Sequence, residues 1–275
     1  MCLYVVLAVA TARANPSVAM HESYIESEDL TIIVNGEYAD FIGKFVFRSA
    51  PYAPGYNPKG PGLILLPIWV PAHSDDPNSS IARFLAKFPT EMYAWIKPET
   101  RSLVDEVVGL TIKVEDKVLP YNRFSPWKYG SREIPRTWTR QDVLCVIFSE
   151  IFDSSSLKDG TKVVLTYRQP LIRTGEKRLL FYVPIFSNLT PEQIMKNRRN
   201  YCITVQCPSS EHLRATSELS YCAATSSNQL RILPENERAI EIEIEKADKS
   251  TLQTPVSVTP AAEAPLAPPS GAAGL

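Results

Sequence analysis

An excess of charge of either sign is missing from this chain. Its 29 Lys and Arg stand against 30 Asp and Glu, so no basic surface argues for nucleic acid or an anionic membrane as partner. Glycine is scarce, at 11 against 23 prolines in 275 residues. No glycine-rich phosphate loop, dinucleotide fingerprint, GxSxG or HExxH occurs, which removes the usual signatures of nucleotide chemistry, serine hydrolysis and zinc proteolysis. No cofactor is expected. Long apolar runs are lacking too. A helical span needs roughly 20 apolar residues, whereas the run from Leu3 ends before Arg13 and the run from Leu63 is broken by Pro67. The mature chain is therefore expected to have no membrane span.

Leu3 to Ala12 has instead the length of a signal-peptide core, and "ARA" before Asn15 is a small-x-small cleavage site. Residues 1–14 read as a signal peptide, and the mature chain as exported, whether periplasmic, on the cell surface or secreted. Proline outnumbering glycine suits β structure with rigid connections better than a helical bundle.

The strands are written locally. Asn35-Gly36 supplies positive φ between β-branched and aromatic runs, which predicts a hairpin over Asp29 to Ser49 with Ala39, Phe41, Phe45 and Phe47 on its core face. Gly43 lies on that face and suggests a bulge or a close approach. "LILLPIWVP" reads as a buried strand kept short by its prolines, and "SSIARFLAKF" as a short capped helix. "GLTIKVEDKVLPY" returns to β, turning at Glu115-Asp116. "TRQDVLCVIFSEIF" is ambiguous, with helix preferred. "TKVVLTYRQPL" and "KRLLFYVPIF" flank Thr174-Gly175-Glu176 as a second hairpin, and Thr190-Pro191-Glu192 begins a short helix. In "RAIEIEIEK", Ile240, Ile242 and Ile244 alternate with Glu241, Glu243 and Glu245, as on an edge strand with one wet face. These carboxylates would hold Ca²⁺ only if a loop added further oxygens.

About ten or eleven strands with short helices in the connections predict a mainly β chain, an antiparallel β-sandwich. Its expected boundaries are residues 20–189 for the sandwich, 190–246 for C-terminal strands completing or packing on it, and 247–275 for a disordered Pro/Ala-rich tail.

The strand run "YADFIGKFVFRS", then "LPIWVP", "GLTIKVEDKVLPY", "KVVLTYRQPL" and "LLFYVP", with Ala39, Phe45, Phe47, Pro67, Val164 and Tyr167, resembles secreted bacterial β-sandwich proteins of unassigned function. These are similar to the N-terminal domain type of inter-alpha-trypsin-inhibitor heavy chains and vault proteins. The resemblance spans Leu30 to Ile185. It implies a non-catalytic envelope or extracellular module, and it carries over no functional residue.

Three constellations could carry chemistry. Tyr52, Tyr56 and Trp69, with Trp127 and Tyr129, could form a platform for a peptide or carbohydrate, or simply anchor long loops. "AHSDD" groups His73, Ser74, Asp75 and Asp76 after a strand, where a general base or metal ligand could stand; this is the rival, hydrolase or metal-enzyme reading. Neighbouring side chains there would point apart, and the motif is also ordinary turn chemistry. "YCITVQCPSSEHLRATSELSYC" holds Cys202, Cys207, His212 and Cys222. On a strand, Cys202 and Cys207 face opposite ways, which counts against a shared metal. If residues 208–216 form a loop, Cys202 falls opposite Cys222, and the disulfides would be Cys202–Cys222 and Cys145–Cys207. Asn78 and Asn188 open glycosylation sequons. The partner expected is an envelope protein, a peptide or a carbohydrate.

Overall fold

A computed structural model describes residues 17–18, 23–49, 61–87, 94–95, 97–115, 117–119, 121, 123–127, 143–153, 160–183, 200–216, 222–234 and 239–247. The expected signal peptide, the Thr190 helix and the tail beyond Ala247 lie outside them.

The described chain is mainly β. In order it forms β1 (Ser17–Val18), β2 (Ser23–Asn35), β3 (Tyr38–Ser49), β4 (Pro61–Pro71), α1 (Ser80–Ala86), β5 (Ala94–Trp95) and α2 (Pro98–Val107). There follow β6 (Thr111–Val114), β7 (Lys117–Leu119), β8 (Arg123–Trp127), β9 (Val143–Asp153), β10 (Thr161–Pro170), β11 (Ile172–Thr174) and β12 (Lys177–Tyr182). The last are β13 (Tyr201–Gln206), β14 (Glu211–Ala215), β15 (Cys222–Ser226), β16 (Gln229–Ile232) and β17 (Ile240–Lys246). Three sheets result: an eight-stranded one ordered β15-β16-β13-β2-β3-β10-β6-β7, a five-stranded one ordered β1-β4-β9-β8-β5, and a four-stranded one ordered β11-β12-β17-β14. The pairings are antiparallel except β13 on β2.

The β2–β3 hairpin forms with its turn one residue later than expected. Asn35 pairs with Tyr38, leaving Gly36-Glu37 as the loop, with positive φ at Gly36, as a type II′ turn requires. The face reading survives, because Ala39, Phe41, Phe45 and Phe47 are all buried. Gly43 marks a close approach: a Cβ there would lie 2.5 Å from the Phe45 ring. The bulge in this hairpin falls instead between Ile25 and Ser27.

Two expectations change in the five-stranded sheet. Residues 143–153 are strand rather than helix, because β9 pairs with β4 along the whole of Pro61 to Pro71; that ladder overrides the cap-like Thr139 and Asp142. β4 is also longer than its prolines suggest. β1 covers it only at Ile64 and Leu65, so Pro67 faces no ladder partner on that side among the described residues.

The second hairpin is β11 with β12 alone. β10 belongs to the eight-stranded sheet beside β3, and the chain changes sheet at Leu171. β17 is internal rather than an edge, lying between β12 and β14.

Buried side chains from all three sheets form one hydrophobic cluster. Phe41 stacks on Tyr167 at 4.4 Å and lies 5.7 Å from Tyr182. Gln169, on β10, ties the sheets together: its Oε1 accepts from the Trp69 backbone N–H at 3.2 Å, and its Nε2 donates to the Phe181 carbonyl at 2.7 Å. Tyr182 donates to the buried Glu28 carboxylate at 3.1 Å. Burial, and then the Glu28 charge, raise the Tyr167 phenol well above its ordinary value.

Candidate functional site

Three distant segments meet at one end of the sheets. The β2–β3 turn brings Glu37 and Tyr38, the end of β4 and the start of α1 bring Pro71 through Ile81, and the β10–β11 crossing brings Leu171, Ile172 and Arg173. Hydrogen bonds fix their meeting. The Leu171 N–H donates to the Glu37 carbonyl at 2.9 Å, Arg173 Nε donates to the Glu37 carboxylate at 3.0 Å, and the Tyr38 and Ser80 hydroxyls are 3.3 Å apart. Between the segments is a cavity of about 480 Å³, within the range of small-ligand sites.

The "AHSDD" loop forms one wall of it. Ser79 caps α1, its hydroxyl accepting the Ala82 N–H at 3.1 Å and donating to the Asp76 carbonyl at 2.8 Å. Ser74 also donates to that carbonyl at 3.1 Å, and its hydroxyl lies 2.8 Å from that of Ser79. Asp76 Oδ1 accepts the Asn78 N–H at 2.9 Å. These hydroxyls therefore hold a turn and a helix start. His73 is exposed and is bonded to none of them.

Trp69 takes no part in an open platform. It is 3% exposed and packs against Phe181 at 5.9 Å and Tyr182 at 6.3 Å, which is the loop-anchor alternative carried further, into the core. Tyr52, Tyr56 and Tyr129 lie outside the described residues. Trp127 lies on β8, opposite Cys145. Of the sequons, Asn78 is exposed in the loop before α1, and Asn188 lies outside the described residues.

The cysteine expectations are corrected. Residues 211–215 are strand β14, which pairs with β17 in the four-stranded sheet, so they cannot be the loop that was to set Cys202 opposite Cys222. Cys222 pairs with Ile232 of β16, and Ile232 with Ile203 of β13. One strand thus stands between the two cysteines, a separation of about 9–10 Å at ordinary strand spacing and beyond the roughly 7 Å Cα limit of a bridge. Cys145, in the five-stranded sheet, and Cys207, just past β13, are both free and buried, and Cys202 is free. Burial raises the Cys145 thiol far above its usual value. It also pushes Cys207 up to about 11, assisted by Glu211 and opposed by Arg178. Among the described residues, no three His, Cys, Asp or Glu side chains group as metal ligands.

The Glu241, Glu243 and Glu245 stripe is not a bare wet face. Lys177 reaches Glu243 at 3.1 Å and Glu245 at 2.7 Å, and Arg214 pairs with Glu243 and stands 3.8 Å from Glu245. Hydrogen bonds from Arg214, then from Lys177, hold the Glu243 carboxyl below its ordinary value. Lys177 and Arg214 thus already stand against the Glu243 and Glu245 carboxylates, where a bound cation would meet their like charge.

No family model matches the chain, and no curated protein matches it. Among solved structures, native leukotriene A4 hydrolase from Saccharomyces cerevisiae is similar at 6% identity and a TM-score of 0.35, over 84% of this chain and 30% of that one. A likeness of that size carries no argument. The chain spans less than a third of that protein's length.

Sequence reasoning found His73, Ser74, Asp75 and Asp76 as a group. It missed Glu37, Tyr38, Ser80 and Arg173. Glu37, Tyr38 and Arg173 are ordinary turn or strand residues and Ser80 is the first residue of α1; the pairing of β3 with β10 and the crossing at Leu171 bring Glu37, Tyr38 and Arg173 to the cavity beside the start of α1.

Proposed function

We propose that this chain is an exported, non-catalytic β module whose role is binding, in the cell envelope or outside the cell, and that its ligand occupies the cavity between Glu37, the His73 loop and Arg173. The carrying observation is that a cavity of about 480 Å³ is walled by polar groups held in place by backbone and capping hydrogen bonds. Rigid walls of fixed polarity are what recognition needs. The rival hydrolase needs a nucleophile bonded to a base that a third group orients. Here the Ser74 and Ser79 hydroxyls are committed to each other and to the Asp76 carbonyl, which favours binding.

Export draws its support from the leader-like first 14 residues. The resemblance of its strand pattern to secreted bacterial β-sandwich proteins points the same way.

The test is a panel of short peptides and oligosaccharides run by calorimetry, beside a hydrolase substrate panel, with wild type, His73→Ala and a cavity-filling Ser80→Trp. Binding that Ser80→Trp abolishes, without turnover, is the expected result. Reproducible turnover lost in His73→Ala would instead establish the rival.

A further inference from the structure

The cavity has two chemically distinct parts. Pro71, Leu171 and Ile172 are buried and give it an apolar floor. Three carboxylates, Glu37, Asp75 and Asp76, stand around that floor with one permanent cation, Arg173. Glu37 and Arg173 neutralise each other at 3.0 Å. That leaves two carboxylates unmatched. Asp76 already gives one oxygen to the Asn78 N–H, while Asp75 is exposed and makes no hydrogen bond or ion pair among the described residues.

An anion entering here would meet two uncompensated carboxylates, and a wholly apolar group would leave them without a partner. A cation on an aliphatic stem satisfies both parts: the stem lies on the apolar floor and the head meets a carboxylate, as long basic side chains do elsewhere. We propose that the cavity takes an alkylammonium or alkylguanidinium group, with Asp75 as its counter-ion. This rests on the reading of the cavity as a binding site. The volume, about 480 Å³, exceeds one such group, so the same chemistry could come from a free diamine or from a basic side chain carried on a peptide.

The experiment is an NMR titration of the full chain, wild type and Asp75→Asn, with four probes: cadaverine, N-acetyl-lysine methylamide, glutarate and maltose. The substitution keeps shape and touches no contact of the fold. The expected result is that at least one amine probe binds wild type, moving resonances of residues 71–81 and 171–173. Asp75→Asn should weaken it at least threefold, and added salt should weaken wild-type binding further. Preference for cadaverine over the lysine amide would assign a free amine, and the reverse order a peptide-borne side chain. Amine binding that Asp75→Asn leaves unchanged, or tighter binding of glutarate, overturns the proposal. If maltose alone binds the cavity, the cationic preference falls and the binding site stands. If no probe moves those resonances, both fall.

Discussion

Gln169→Leu tests how the three sheets are held together. Gln169 is 1% exposed, and its amide serves two main-chain groups on different sheets, the Trp69 N–H of β4 at 3.2 Å and the Phe181 carbonyl of β12 at 2.7 Å. Leucine is of similar size and leaves no large void, so the loss is mostly that of two buried polar groups deprived of partners. Each such group costs about 1–3 kcal/mol, which sets the destabilisation at about 2–6 kcal/mol. That is a large share of the roughly 5–15 kcal/mol of a typical domain. Gln169→Glu should be no better, because a carboxylate can still accept from Trp69 but cannot donate to Phe181 when ionised. The measurement is urea unfolding followed by tryptophan fluorescence and circular dichroism, with Lys113→Leu on the exposed face as the control, expected within about 0.5 kcal/mol of wild type. A Gln169→Leu protein as stable as that control would refute the reasoning.

The acid limb of stability should depend on Glu243. Its folded pKa is lowered, by Arg214 first and Lys177 second. Its contribution is therefore fully present above the unfolded value of about 4.3 and is lost as pH falls through the folded value; Glu243→Gln should flatten the dependence of unfolding free energy on pH below about pH 4, and an unchanged slope would count against the network. Native-state alkylation followed by peptide mapping should label Cys202 ahead of Cys145 and Cys207, which are buried; recovery of a Cys202–Cys222 linked peptide would contradict the register of β13, β16 and β15. Gly43→Val should destabilise by about 1–3 kcal/mol through overpacking, read as a lowered urea midpoint, because even a Cβ there would lie 2.5 Å from the Phe45 ring.

What could be read from the sequence was local. The β2–β3 hairpin, the cap of α1 and the alternation of β17 each depend on residues a few positions apart. Pairings across the chain were not visible. Nothing in "VLCVIFSEIFD" announces that β4 will pair with it along eleven positions, and nothing in "EHLRA" distinguishes a loop from a strand recruited by β17. An opposition of Cys202 and Cys222 requires that neighbours in sequence be neighbours in the sheet, but β16, later in the chain than both, inserts between them. The site was half legible for the same reason. The His73 loop declares itself by composition, while Glu37 and Arg173 reach it only through the crossing of the chain from one sheet to another at Leu171.

Hydrogen exchange of the intact chain, with and without the tightest-binding member of the peptide and oligosaccharide panel, tests the binding account most directly. The account predicts slowed exchange at residues 71–81 and 171–173 with little change elsewhere, and no consumption of the added ligand. Protection confined to another face of the sheets, or a ligand turned over in a way that His73→Ala abolishes, would contradict it.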